Sequence, residues 1–429
     1  MIYNESKYNQ QWATMKLSDL GTFERGKSKH RPRNDERLFE GGGYPLVQTG
    51  EIKDANLYIT HHEQEYGEFG LNQSKLWDAE TLCITIAANI AETALLSYPM
   101  CFPDSVVGFK AYKDASSEKF MYYVFEYIRR SIQNSVTGSI QDNINIEYLT
   151  SLTFKIPSKK IQDTIVSLLS AIDEKILINT EINDYLEEMA KTIYDYWFVQ
   201  FDFPNENGKP YKSSGGKMVN ANGHIIPEGW TFCKVQDIIS NICTGLNPRD
   251  NFKLGTGDIK YITVKNLTTN GTLDFTGCDT IDESARTIVH NRSDIQIGDI
   301  LFASIAPLGR CYLIQSEPTD WDINESVFSI RANTDIITPA FLYLYFMSDA
   351  FIKHATSSST GSIFKGIRIN TLLETELCVP PLSVILKFEE RLASIFPLKS
   401  KNYEEIQRLS NLRDWLLPML MNGQATIEN

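Results

Sequence analysis

Apolar residues recur along this chain with two different periods, and the change from one to the other happens twice. Short runs rich in β-branched and aromatic side chains come first, at residues 44–50 and 81–86, and again at 261–264 and 299–305. Gly, Asn and Asp bound them, which predicts strands. Each series ends in an apolar, aromatic segment, 120–128 and 341–346, that reads as a core helix. After Pro157 the spacing becomes mostly three and four: Ile161, Ile165, Leu168, Ile172, Ile176, Ile182, Leu186, Met189 and Ile193 form one predicted stripe. No Pro or Gly falls between Lys159 and Phe203. A helix of about 40 residues is roughly 60 Å long. Few globular cores cover that length, so a second long helix is expected beside it. Ile385, Phe388, Leu392, Ile395, Ile406, Leu409, Leu412, Leu416 and Leu420 supply one, with a kink or break expected at Pro397. Asn179 falls near the first stripe, where it either sets register or faces solvent.

The recurrence is a duplication. Thr-Gly-Ser-Ile stands at 137–140 and again at 360–363, an offset of 223, and the match runs on through Ile144/Ile367 and Leu149/Leu372 to Pro157/Pro380. Upstream, Leu82-x-x-Thr85-Ile86-Ala87 matches Leu301-x-x-Ser304-Ile305-Ala306 at an offset of 219. Trp12, Lys16 and Asp19 match Trp230, Lys234 and Asp237 at an offset of 218. A unit this long is a duplicated domain and not a solenoid repeat. The expected organisation is a first domain at 1–157, a long helix at 158–200, a linker at 201–229, a second domain at 230–380, a second long helix at 381–423 and a tail at 424–429. The fold class is α+β: two similar domains of mixed α/β structure, each followed by a long helix, the two helices pairing as an antiparallel coiled coil.

Charge and candidate chemistry narrow the function. The net charge of −13 over 429 residues argues mildly against a nucleic-acid partner. Binding is local, however, and Arg25, Lys27, Lys29, Arg31, Arg33 and Arg37 outnumber Asp35 and Glu36 in one loop. That loop either faces phosphate or is simply solvated. Seven scattered Cys form no C-x-x-C, which disfavours disulfides and structural zinc and points to a reducing cytosol. His61-His62 is read as a solvated loop over a metal site. No apolar run approaches a membrane span. Gly21-Thr-Phe-Glu-Arg-Gly26-Lys27-Ser28 satisfies the phosphate-loop pattern G-x-x-x-x-G-K-S. That pattern works only between a strand and a helix. Lys29-His-Arg-Pro32 does not begin a helix, and the second copy has Gly245-Leu-Asn-Pro248 there, so the match is set aside. No Asn-Pro-Pro-Tyr-like segment, catalytic triad or metal-ligand spacing is present. The chain reads as a binder.

The duplicated domain, the two helices, Trp197-Phe-Val-Gln-Phe-Asp-Phe-Pro204, Gly208-Lys-Pro-Tyr211, Ser214-Gly-Gly-Lys217 and Ile226-Pro-Glu-Gly-Trp230 together resemble the specificity subunit of type I restriction–modification enzymes. The likeness covers essentially the whole chain, and Gly26-Lys27-Ser28 matches a turn of that family. The resemblance implies two target recognition domains, each reading half of a split, asymmetric sequence in double-stranded DNA. It implies helices that act as a ruler and dock two methyltransferase subunits, with motor and nuclease subunits added. S-adenosylmethionine, ATP and Mg would sit on those partners and no cofactor on this chain. Two readers on a rigid spacer imply half-sites about one helical turn, roughly 34 Å, apart. Candidate DNA contacts are Arg25, Lys27, Lys29, Arg31, Arg33, Gln141, Asn143 and Asn145 in the first half, and Arg249, Lys253, Lys365 and Arg368 in the second. For the Asn residues turn formation is an equal alternative. The competing class is a non-catalytic coiled-coil adaptor that binds protein.

Overall fold

The computed structural model describes residues 2–87, 90–137, 145–221, 223–275, 277–357 and 366–426, with backbone alone at 130, 131 and 133–137. The chain forms two compact units, Met1–Asn179 with Glu404–Asn429, and Thr180–Tyr403.

In the first unit a five-stranded sheet has the order Gly21–Arg25, Val106–Ala111, Leu82–Thr85, Thr93–Leu96, Tyr58–Ile59. Leu82–Thr85 is buried on both faces. Leu82 and Ile84 face Phe120, Val124 and Phe125 of the helix Glu118–Thr137, while Cys83 faces Trp77 and Phe102. Two-sided burial explains why this strand reads as a continuous apolar run without alternation. Beside it, Tyr44–Leu46 pairs antiparallel with Gln64–Tyr66 and parallel with Met100–Cys101. A separate ladder joins Ala13–Lys16 to Thr153–Ile156, closing the start of the domain on its end.

The second unit repeats these relations. Its four-stranded sheet has the order Ile239–Thr244, Val327–Ala332, Ile300–Ala303, Cys311–Leu313. Ile259–Ile262 pairs antiparallel with Asp279–Ile281 and parallel with Trp321–Ile323. Thr231–Lys234 pairs with Glu376–Val379. Duplication is therefore visible as topology.

The first long helix is Lys159–Tyr194, 36 residues, continued by a π-type turn at Asp195–Val199. Its buried line differs from the predicted stripe. Ile165, Ile172 and Ile176 are buried as expected, joined by Leu169. Ile161, Ile182 and Met189 are exposed, and Asn179, Asn183, Glu187 and Ala190 lie inside instead. The cause is that polar groups on this line find partners. Within the second unit the side-chain amide of Asn402 donates to Asn183 Oδ1 at 3.1 Å, and that of Asn183 to the Lys399 carbonyl at 3.3 Å. Lys399 pairs with Glu187, both nearly inaccessible, and Tyr343 donates to Glu187 at 3.0 Å. In the first unit Arg413 pairs with Asp173 at 3.0 Å, and Tyr123 donates to the same carboxylate at 2.6 Å. Asn179 is buried there, with its amide nitrogen unbonded among the described residues.

Within the second unit rising numbers on the first helix meet falling numbers on the second, 183 with 402 and 187 with 399, so the segments run antiparallel; within the first unit Asp173 meets Arg413 and Ile165 lines a cleft with Leu420, in the same sense. The second helix comes in two pieces, Leu382–Leu392 and Ile395–Met421. The break falls just before Pro397 and not at it. Pro397 then sits in a first turn, where its missing N–H has no intrahelical acceptor to lose. The Gly- and Pro-rich stretch 201–229 is packed. Phe203 stacks on Tyr211 at 4.6 Å and tilts against Trp230 at 5.2 Å, within a core holding Tyr194, Trp197, Phe198 and Phe388. Asp202 accepts from the Ser213 hydroxyl and N–H, which hold its pKa below the usual carboxylate value.

Candidate nucleic-acid interface

The basic loop of the first unit leaves the end of the strand Gly21–Arg25. Gly26 is required there by a close approach, since a Cβ would collide with the Pro103 carbonyl and the Phe102 ring. Gly245, at an offset of 219, meets the Ile323 carbonyl in the same way. Around Gly26 three arginines converge on Asp104. Arg25 donates to its carbonyl, Arg31 to its carboxylate at 3.3 Å, and Arg33 to the other carboxylate oxygen. Arg31 also donates to the Ser28 carbonyl. The Arg31 and Arg33 side chains remain about half exposed, at 53% and 51%. One carboxylate shared by two guanidiniums, with a third on the backbone carbonyl of the same residue, leaves a surplus of positive charge on an open surface. Lys27 lies 3.8 Å from Glu24. Lys29 is exposed, with no ion pair among the described residues. The loop closes on Asp35, whose carboxyl is held well below the usual range by hydrogen bonds from Arg37 and then His30. Sequence reasoning missed Asp104, because nothing in a loop 70 residues downstream of the arginines marks it as their anchor.

Two clefts open beside this loop. One, of about 250 Å³, is lined by Arg25, Ile86, Asn145, Ile146 and Glu147, and so unites two candidates far apart in sequence. Asn145 caps the helix Ile146–Ser151, its side-chain oxygen accepting the Tyr148 N–H at 2.8 Å. Its turn-forming role is thus the one on display, and that oxygen is already used. The other cleft, of about 300 Å³, is lined among others by Ser28, Arg33, Gln48, Gln64, Tyr66 and Ser105. Gln48 and Gln64 carry no sequence signal beyond being amides at strand ends.

In the second unit Arg249 and Lys253 are exposed on the loop that follows Gly245. Asn247 of this loop donates to Glu325 at 2.7 Å, and Arg292 donates to Thr244 at 3.3 Å, bringing a further cation to its root. Arg368 is exposed in the N-cap position of the short helix Ile369–Leu373. Its segment is fixed by the Ile367 N–H donating to the Ser304 carbonyl at 2.8 Å and by a bridge of Ile305 with Gly366. Gln141, Asn143, Lys365 and most of both Thr-Gly-Ser-Ile copies lie outside the described residues. Arg331 is a structural cation. It is held by Asp299 and Asp294, and its pKa is raised chiefly by the hydrogen bonds to Asp299.

Residues 9–188 and 227–408 each match the family described as the type I restriction modification DNA specificity domain. The chain belongs to this family. The two matched blocks are the two copies of the duplication, so the family pattern is present twice. Among specificity subunits, the chain is similar to that of the MjaIX type I restriction enzyme from Methanocaldococcus jannaschii, at 21% identity over 98% of this chain and 95% of the relative. The HindI specificity subunit from Haemophilus influenzae is 23% identical over 70% of this chain and 74% of its own length. The crystal structure of the type I S subunit from M. genitalium shares the fold, with a TM-score of 0.57 at 15% identity, covering 98% of this chain and 99% of the other.

In this specificity subunit the G-x-x-x-x-G-K-S pattern does not build a phosphate cradle. Gly21 opens a strand at a sheet edge, where a Cβ would strike the Lys110 carbonyl and the Phe109 ring. The next helical turn after Arg25 is the three-residue Glu36–Leu38. Both glycines of the pattern thus have packing reasons. His62 is bonded to Tyr98 at 2.6 Å and Glu65 at 3.1 Å. Among the described residues no three His, Cys, Asp or Glu side chains group to hold a metal. All seven cysteines are free thiols, with burial pushing Cys101 up to about 11. Among the described residues no helix is long and apolar enough to cross a membrane.

Proposed function

We propose that this specificity subunit reads a two-part, asymmetric target in double-stranded DNA, one part with each unit, and assembles two methyltransferase subunits and further motor and nuclease subunits around its helices. One observation carries the reading: the same topology occurs twice, while the exposed loops at equivalent places differ. Arg25, Lys27, Lys29, Arg31 and Arg33 occupy the first loop, and Arg249 and Lys253 the second. A conserved frame with unlike loops is what recognition of two unlike half-sites requires. Cations on these loops neutralise phosphate and set register, while side chains reaching base edges select sequence.

Docking of partners is supported by apolar side chains that the helices leave in solvent. Ile182, Tyr185 and Met189 are 38%, 68% and 51% exposed at helical spacing in the second unit, and Leu412 and Trp415 are 42% and 58% exposed in the first. Exposed apolar surface of this kind marks protein–protein contact. Chemistry belongs to the partners in this reading: adenine methylation with S-adenosylmethionine, and ATP- and Mg-dependent translocation and cleavage. A cytoplasmic location for the assembly is supported by the free thiols and by a chromosomal substrate. The test is DNA binding by the reconstituted assembly across a salt titration. Arg31→Glu and Lys365→Glu each weaken binding most at low salt and flatten the dependence of log affinity on log salt. Unchanged affinity and slope in both would remove the assignment of these loops to DNA.

A further inference from the structure

Gln48 and Gln64 form an amide pair that the fold does not need. Gln48 precedes the short helix Thr49–Asp54, and Gln64 opens the strand that pairs with Tyr44–Leu46, in register with Leu46. Both side chains are exposed, and Gln48 Nε2 donates to Gln64 Oε1 at 2.7 Å. Among the described residues that bond leaves the Gln48 carbonyl oxygen and the Gln64 amino group without a hydrogen-bond partner. An acceptor and a donor side by side are what the major-groove edge of adenine requires, since its N6 amino group donates and its N7 accepts. The pair sits at the lip of the 300 Å³ cleft, whose wall carries the Ser28 and Ser105 side chains and the buried Tyr66. Arg33 lines the same cleft and is held there by Asp104, which also takes Arg31. Amides are thus set beside fixed cations, which is how a base contact is brought into register by a phosphate contact.

The second unit shows that the turn itself does not depend on glutamine. There the strand Ile259–Ile262, with the same antiparallel and parallel neighbours, runs into the turn Val264–Asn266. The backbone N–H of Gln48 is met by the Glu51 side chain at 3.2 Å, and that of Thr263 by the Asn266 side chain at 2.8 Å, so the same one-way contact closes the turn twice. The Thr263 hydroxyl is used inside its own turn, donating to Asn266 at 2.9 Å. Frame is repeated, and the outward amide is not.

We infer that Gln48 and Gln64 read one adenine of the half-site recognised by the first unit, with Arg33 positioned by Asp104 on the adjoining backbone; this rests on the DNA-reading function proposed above. The experiment maps methyladenine in cells that carry the partner subunits and either the natural chain, Gln48→Met or Gln64→Met. Methionine keeps the side-chain length and deletes the amide. Thermal melting of each purified assembly checks folding. Expected is a two-part motif with the natural chain. In both variants, discrimination at one A·T position of one part falls roughly five- to hundredfold, the other part is untouched, and melting is unchanged. Variants with native melting and an unaltered motif overturn the inference, as does a uniform loss over both parts. Absence of any motif dependent on the natural chain would instead overturn the DNA-reading function itself. Should one variant melt early, the other decides alone; early melting of both contradicts the claim that the fold does not need the pair.

Discussion

Asp104 reaches no base in this reading, yet three arginines meet on it, and residue-scale predictions follow from such anchors. Asp104→Ala frees Arg31 and Arg33 while adding net positive charge, so affinity for DNA of unrelated sequence rises and preference for the target falls. Competition binding with target and scrambled duplexes measures both; a parallel loss of both affinities would contradict the anchoring role. Asp35 is stabilised as a carboxylate by Arg37 and His30. Its folded-state pKa is depressed, so its contribution is present above the ordinary carboxylate value near 4 and fades only as pH falls through the lower folded one. Order in this loop, followed by amide exchange, is therefore flat above about pH 5 and lost in acid. Inside the helical pair, Lys399→Met takes the cation from the buried side chain of Glu187, at a cost of about 3–5 kcal/mol. The double variant with Glu187→Met costs less than that single change, which chemical denaturation resolves. None of these anchors was legible in the sequence. Asp104 is about 70 residues from its arginines and Lys399 is 212 from Glu187, and residue type alone does not announce a partner that far away.

Elements were legible where period and burial coincide. The first helix follows from an unbroken run without Pro or Gly, and strands such as Leu82–Thr85 from their apolar runs. What the period misplaced was the buried face beyond residue 179. Asn183 and Glu187 look like solvent positions until Asn402, Lys399 and Tyr343 are seen to satisfy them. The apolar line that periodicity assigns to the core, Ile182 and Met189, then faces out. Its exposure gives an element-scale prediction. Ile182→Asp with Met189→Asp abolishes copurification of methyltransferase subunits while leaving the melting temperature of the isolated chain unchanged or higher. Retained copurification would place the docking surface elsewhere.

At the scale of the whole molecule the duplication was the most legible feature, because frame residues such as Trp12/Trp230 and Pro157/Pro380 persist while loops diverge. The equivalent topologies of the two units repeat it in three dimensions. The candidate site was legible only as a class. Basic loops could be named, and Arg25 and Asn145 do share a cleft, but the amide pair and the arginine anchor required coordinates. The central claim is that this chain alone sets which DNA is modified, through two independent readers. Its most direct test is genome-wide mapping of methyladenine with the natural chain, without it, and with residues 1–157 replaced by the corresponding residues of another specificity subunit. Expected is a two-part motif that vanishes without the chain and changes in one part only after the replacement. A motif that survives loss of the chain, or that changes in both parts at once, would contradict it.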